Sequence, residues 1–274
     1  MKKTDLYKIL KELDFHPGKI LGQNFLVDDN FLDYIVRAAD PKKGDSILEV
    51  GPGFAALTSH LIESGADVTA IEFDHRIAEY LRNKIKFPNF RLVESDVMKV
   101  DIQKLMEEKG DFRCIANLPY AVSSPFIGEL ITLPLPPKDM CFMLQKEMGM
   151  RLAASPGTKN YGGLSVRIQT VYNVKLLRTV PRQVFHPPPD VDSAIVQFIR
   201  KDTYPLLEER NKISRLVRAA FSQRRKQMYK AVAAIYGKEK LFAAYEQHNL
   251  KKTVRAEELD VHQFVALAAT LSQE

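Results

Sequence analysis

Residues 47–56, Ile47-Leu48-Glu49-Val50-Gly51-Pro52-Gly53-Phe54-Ala55-Ala56, read as a buried strand that runs into a sharp turn and then a helix. Two glycines around a proline let the backbone bend closely under a ligand. Outward from this turn the chain falls into short apolar runs separated by helix-like segments, the spacing of βα units around a parallel sheet. The runs at 45–50, 68–73, 90–95, 112–117, 139–144, 174–180 and 193–200 are the expected strands. Between them, 55–64, 75–86, 123–132 and 146–154 carry apolar residues at three- and four-residue intervals, which lays one face of each helix on the sheet. A doubly wound α/β domain follows. Around Lys201-Asp202-Thr203-Tyr204-Pro205 the strand pattern gives way to helical periodicity, with Ile213, Leu216, Val217, Ala220 and Phe221 on one stripe. The expected division is 1–203 for the α/β domain and 204–274 for a small helical domain.

At 274 residues and 45% hydrophobic content, the chain can fill one large core and a small appendage. Lys and Arg total 40 against 34 Asp and Glu, a formal charge of +6 that favours polyanionic partners without naming one. Its location says more. Residues 205–230 hold eight basic side chains, Arg210, Lys212, Arg215, Arg218, Arg224, Arg225, Lys226 and Lys230, against Glu208 and Glu209, an excess equal to the charge of the whole protein. A basic helix face is often only solvated, but this concentration favours contact with RNA phosphates through Arg218, Arg224, Arg225 and Lys226. The two cysteines, Cys114 and Cys141, lie in apolar runs without metal-ligand spacing, so they read as reduced core residues of a cytoplasmic protein and no metal is expected. His16, His60, His75 and His186 show neither metal nor triad spacing and read as surface or turn residues. No membrane span or signal segment is expected, because Asp5, Lys8, Lys11 and Glu12 interrupt the start of the chain. Nothing demands more than a monomer.

The Gly51-Pro52-Gly53 turn also satisfies the loose glycine pattern of nicotinamide-binding proteins, and alone it selects no cofactor. Three acids tilt the reading. Glu72 ends the second long strand about twenty residues after the glycines, where a carboxylate can accept from a ribose diol; a solvated strand-end acid is the plain alternative. Asp96 ends the third, where it can accept from an adenine amino group or simply cap a helix. A glycine turn followed by two strand-end acids can hold an adenosine across the sheet edge, and methyltransferases that use S-adenosylmethionine look like this. Glu49 would add to the field around a sulfonium, whereas it would repel a pyrophosphate.

The fourth strand ends in Asn117-Leu118-Pro119-Tyr120. Methylating an exocyclic amine requires the nitrogen to rehybridise and gain positive charge, which neutral oxygen acceptors on its N–H groups stabilise. The Asn117 side-chain oxygen and the Leu118 carbonyl are the expected pair, with Pro119 fixing the turn and Tyr120 offering a face on which an extruded base stacks. Phe185, in Phe185-His186-Pro187-Pro188-Pro189-Asp190-Val191-Asp192-Ser193, is the expected second stacking surface, although a proline run by itself is more often a rigid connector. Gly22-Gln23-Asn24-Phe25-Leu26 either folds over the methionine end of the cofactor or caps the core.

The segments L-G-Q-N-F-L at 21–26, E-V-G-P-G at 49–53, S-D-V at 95–97, N-L-P-Y at 117–120, F-H-P-P-P-D-V-D-S at 185–193 and F-S-Q-R-R-K at 221–226 together resemble the KsgA family of rRNA adenine dimethyltransferases over nearly the whole chain. The resemblance implies a Rossmann-like class I methyltransferase domain with a mixed seven-stranded sheet and a small all-helical C-terminal domain. It implies S-adenosylmethionine as cofactor, contacted by Asn24, Leu26, Gly51, Glu72, Asp96 and Asn117, with Glu49 and Gly53 in the same turn. It further implies N6 dimethylation of two adjacent adenosines in the 3′-terminal hairpin of small-subunit (16S) rRNA, within a pre-30S-type particle. Two departures stand out: the family usually has glycine where this chain has Ala55, and commonly asparagine where it has Ala121. Alanine prefers a negative φ, so a slightly altered turn is expected at Ala55. Two rival readings share much of this pattern, a large-subunit methyltransferase of the macrolide-resistance type and a non-catalytic ribosome-assembly factor. The F-S-Q-R-R-K and P-D-V-D-S segments speak against the first, and intact Asn117, Tyr120 and Phe185 against the second.

Overall fold

The computed structural model describes residues 1–18, 22–223 and 226–273. In chain order the elements are α1 (Lys3–Glu12), β1 (Phe25–Leu26), α2 (Asp29–Ala39), β2 (Ser46–Val50), α3 (Ala56–Glu63), β3 (Asp67–Glu72), α4 (His75–Lys84), β4 (Phe90–Glu94), α5 (Ile102–Met106) and β5 (Arg113–Asn117). They continue with α6 (Tyr120–Leu130), β6 (Asp139–Gln145), α7 (Lys146–Leu152), α8 (Gly163–Gln169), β7 (Tyr172–Val180), β8 (Phe185–His186), β9 (Ser193–Arg200), α9 (Leu207–Ala220), α10 (Met228–Tyr236), α11 (Lys238–Gln247) and α12 (Val261–Leu271). All seven expected strands form within two residues of their expected limits.

Seven strands make one sheet in the order β4-β3-β2-β5-β6-β9-β7, and β1 and β8 pair separately. From β4 to β6 the neighbours are parallel, and β9 then lies antiparallel to β6 with Gln145 opposite Ser193. The sheet is mixed, as the family resemblance implied. Its order reverses at β2, so the loops after β2 and β5 diverge and leave a crevice at their C-terminal ends, the usual ligand position of such sheets. The Asp-Met-Cys-Phe-Met-Leu run of β6 is buried at six consecutive residues, as a strand covered on both faces requires. Cys114 on β5 and Cys141 on β6 are buried free thiols, and burial pushes Cys141 up to about 12, which leaves it inert.

The chain divides into two compact units, and the division is not a single cut at 203/204. The first unit takes residues 1–127, 137–149 and 175–199; the second takes 128–136, 150–174 and 200–274. The second unit therefore recruits α8, which the sequence reading did not identify and which packs its Gly163 against Val217 and Phe221. Seven residues with one turn of amphipathic pattern are too short to announce themselves as a helix. In the second unit Ile213, Leu216, Val217 and Ala220 of α9 are buried together with Val232, Leu241, Phe264 and Leu267, so the expected stripe does face a helical core.

Arg210 departs from its expected place on a basic surface. It is only 5% exposed and donates to the carbonyls of Ile131, Leu133 and Pro134 at 2.6, 2.9 and 3.2 Å. Its charge is spent on three backbone oxygens inside the second unit. Lys212 is also partly committed, 2.7 Å from Glu208 one turn away.

Candidate active site

A cavity of about 290 Å³ opens over the C-terminal ends of β2, β3 and β5. Asn24, Leu26, Glu49, Gly51, Gly53, Glu72, Asp96, Asn117, Leu118, Pro119, Tyr120 and Phe185 all line it, so every residue expected at the cofactor and the reacting nitrogen faces one space. Arg218 and Lys226 belong to the second unit, where both are exposed. Arg224 and Arg225 lie outside the described residues.

The floor is the glycine turn. Gly51 and Gly53 hold φ of 69° and 55°, and a Cβ at either would come within 3.1 Å of Pro119 or of the Phe25 ring. Only glycine combines that backbone with that clearance. Gly51 N–H donates to Ile71 O at 2.9 Å, tying the turn to β3. Ala55 does not take the negative φ that alanine prefers. It takes φ 66°, ψ 26° in the left-handed region immediately before α3, and keeps the bend at its own conformational cost.

Glu72 anchors the next wall. Its Oε2 accepts from Gly53 N–H at 3.3 Å and its Oε1 from Asp74 N–H at 2.9 Å. Each carboxylate oxygen thus keeps a lone pair for a further donor. Burial raises its pKa while these backbone donors oppose the rise. Asp74 in turn caps α4 through Arg76 N–H and Ile77 N–H, and accepts from Gln23 Nε2 at 2.8 Å. This relay from Gln23 to Asp74 to Glu72 was not foreseen, although an aspartate directly before a helix after a strand-end acid is a readable cap signal. Asp96 Oδ1 caps the following turn through Met98 N–H at 3.0 Å, the plain alternative weighed for it, and the residue also lines the cavity.

Glu49 is 1% exposed, and its Oε2 has no hydrogen-bond partner. Burial pushes its carboxyl up to about 8, with the charge of Glu72 adding to the effect. Burial thus works against the negative charge expected of Glu49, and a cation beside it would favour ionisation. A buried, unpartnered oxygen at the cavity wall, two acceptor carboxylates and a cradle that a Cβ would fill are the features that a sulfonium-bearing nucleoside needs. These residues fit S-adenosylmethionine.

The opposite wall carries the acceptors. Asn117 Nδ2 donates to Asn24 O at 3.4 Å, which orients the amide and leaves Oδ1 available as an acceptor. Among the described residues nothing donates to the Leu118 carbonyl, while Leu118 N–H is held by Met143 O at 3.2 Å. The helix expected from residue 123 begins three residues earlier, at Tyr120, because Val122 N–H and Ser123 Oγ both donate to Pro119 O and wind the chain directly out of the corner. Tyr120 OH lies 2.6 Å from Ser193 Oγ, which joins the N-L-P-Y corner to the last residue of the proline-rich segment. Phe185 lines the cavity but is only 3% exposed, packed into the core beside Leu26. Its neighbour His186, partly exposed as expected of a surface residue, belongs to β8 and is paired with Phe25 of β1.

A sheet of this order, with β9 inserted antiparallel beside β6 and the cavity above the reversal, is that of the class I methyltransferases. It superposes on a dimethyladenosine transferase from Plasmodium falciparum with a TM-score of 0.76 at 27% identity, over 89% of this chain and 95% of that one. The 23S rRNA methyltransferase ErmE shares the fold, with a TM-score of 0.68 at 24% identity over 91% of this chain and 100% of its own. The family model for ribosomal RNA adenine dimethylase matches residues 16–273, and the chain belongs to that family. Among curated relatives, ribosomal RNA small subunit methyltransferase A of Alkaliphilus oremlandii (strain OhILAs) is 37% identical, covering 100% of this chain and 97% of its own.

Proposed function

We propose that the protein transfers methyl groups from S-adenosylmethionine to N6 of two adjacent adenosines in the 3′-terminal hairpin of small-subunit (16S) rRNA, and thereby takes part in small-subunit biogenesis. The observation that carries the reading is the corner after β5, where an amide oriented by Asn24 and an undonated Leu118 carbonyl border the same cavity as the glycine turn. The cofactor supplies an electrophilic methyl group when bound. The chain's own residues do the rest. Asn117 Oδ1 and Leu118 O accept from the two N–H bonds of the amine, favouring the pyramidal, positively charged nitrogen over the flat one. Tyr120, held at its hydroxyl by Ser193, presents a fixed ring to the extruded purine, and Phe185 bounds the space on the other side. No general base is required, because the amine loses its proton only after it has become cationic.

Whole-length similarity to a small-subunit enzyme supports this substrate over large-subunit rRNA, since ErmE is alike at the level of fold. The protein acts as a cytoplasmic monomer on a pre-30S-type particle, with residues 204–274 as the RNA- and ribosome-binding part; among the described residues no helix is long and apolar enough to cross a membrane. The test is mass spectrometry of rRNA nucleosides after incubation with unmodified small subunits. Dimethyladenosine at two neighbouring positions is expected. Methylation of naked large-subunit rRNA alone, or cofactor binding without turnover on any RNA, would overturn the proposal. Within the site, Asn117→Ala is expected to lower kcat about 100-fold while changing cofactor Kd only a few-fold. Equal losses in both would make Asn117 a cofactor ligand only.

A further inference from the structure

The second unit holds a cavity of its own, about 520 Å³ and open to solvent, that the methyl-transfer site does not use. Its walls come from α8, α9, α10 and the Thr132 turn. Three of the residues facing it are arginines, Arg167, Arg215 and Arg218, and none is a carboxylate. The acids on α9 are occupied elsewhere: Glu208 with Lys212, and Glu209 with Leu206 N–H at the helix start.

Two of the arginines are held in place without being neutralised. Arg167 is half-buried, and its Nε donates to Ser214 Oγ at 3.1 Å. Arg215 lies over the Tyr236 ring, 5.5 Å from its centroid. Among the described residues none of the three forms an ion pair. Burial and the neighbouring Arg218 cation together pull the Arg167 guanidinium below its usual range. Like charges gathered over a concave wall, with Asn211 and Ser214 beside them as neutral donors, are poorly satisfied by protein alone. An anion with several oxygens would relieve the repulsion and take up the remaining N–H groups.

We propose that this cavity is a phosphate-binding site in which Arg167, Arg215 and Arg218 grip the backbone of the RNA substrate away from the methylated base. RNA is the occupant the observations favour, because three guanidinium groups share the site with no carboxylate that could hold a cation, and its apolar lining is limited to Ala219, Ala231 and Ile235. The reading rests on the RNA substrate proposed above, and adds to it a contact independent of the FSQRRK segment. Arg167 and Arg215 were not among the RNA contacts expected from sequence.

The experiment uses the full chain and unmodified small ribosomal subunits, with affinity measured across salt concentrations for the wild type, Arg167→Gln, Arg215→Gln and the Arg215→Gln/Arg218→Gln double variant. Each neutralised contact is expected to reduce the slope of log K against log salt by roughly 0.7–0.9. Affinity at low salt should fall several-fold, while calorimetric cofactor binding is unchanged. Unchanged slopes in the Arg215 single and Arg215/Arg218 double variants would overturn the site, and so would a loss of affinity without a change of slope, which marks a structural role. Should Arg167→Gln fail to fold, the exposed Arg215 and Arg218 variants still decide the matter. Wild-type methyl transfer to the same subunits is measured in parallel. Its absence would count against the proposed substrate, whereas its presence with flat variant responses counts against this cavity alone.

Discussion

Ala55 holds a left-handed backbone at a position where the left-handed conformation costs an L-residue about 1–2 kcal/mol. What keeps it there is the packing around it: its N–H is bonded to Pro52 O at 3.1 Å and its methyl is buried in the cluster of Phe15, Phe25 and Phe54. Ala55→Gly would relieve the strain, lose one buried methyl worth about 0.8 kcal/mol, and add entropy to the unfolded chain. These nearly cancel, so denaturant unfolding should shift by less than about 0.5 kcal/mol. The same substitution at Ala78, buried in the middle of α4, has no strain to relieve and should cost about 1–2 kcal/mol. Equal losses at the two sites would mean that Ala55 is unstrained. Glu49 gives a second prediction. A carboxyl whose folded pKa is raised to about 8 from an unfolded value near 4.5 stabilises the fold fully below the lower value, and that stability drains away as pH rises toward the upper one. Cofactor-free protein should therefore lose stability between pH 5 and 8, at up to about 1.4 kcal/mol per pH unit from this proton. Glu72, also raised by burial, acts in the same sense. Glu49→Gln should flatten the dependence, and an unaltered slope would mean that Glu49 is ionised throughout. The identities of both residues stand in the sequence, but their states do not, because strain and protonation follow from what surrounds a residue and not from its type.

Most elements long enough to show a period were legible, α1 excepted, and those held only by distant partners were not. The strands β2, β3, β4 and β5 announce themselves in the sequence, and their order places Gly51, Glu72, Asp96 and Asn117 along one edge. Two-residue strands have no period. Nothing local to Phe25-Leu26 or Phe185-His186 says that they pair across some 160 positions, with Leu26 opposite Phe185. That pairing, extended by Val27 N–H to Val184 O at 2.9 Å, draws the GQNFL segment and the proline-rich segment to the same cavity. GQNFL reads from sequence as either cofactor lid or core cap; Gln23 is bonded to Asp74 on the cavity wall, while Phe25 and Leu26 are buried in the core. Gln23→Ala removes the link to Asp74 and, through it, part of what fixes Glu72. A partly buried hydrogen bond of this kind is worth about 1 kcal/mol. Cofactor Kd should rise about five-fold, with kcat at saturating cofactor unchanged within two-fold. A fall in kcat at constant Kd would mean that the segment serves the base and not the cofactor.

For the molecule as a whole, the charge excess in residues 205–230 must be divided by what each cation touches before it can be assigned a partner. Proximity in sequence made the eight basic residues look like one surface, yet Arg210 is buried on three carbonyls and Lys212 sits beside Glu208. The two fates predict opposite behaviour. Arg210→Met leaves those carbonyls without their buried donor and should destabilise the protein by about 2–4 kcal/mol. Below its melting range, the salt dependence of its binding to small subunits should match the wild type, because no phosphate contact has been removed. Arg224→Gln with Arg225→Gln should do the reverse, leaving the melting temperature within a degree or two while lowering the magnitude of the salt slope by about 1.4–1.8. A parallel thermal melt and salt titration of both variants separates the roles. Were Arg210→Met to flatten the salt slope, or the double variant to leave it unchanged, charge in this stretch would have to be reassigned between core and RNA.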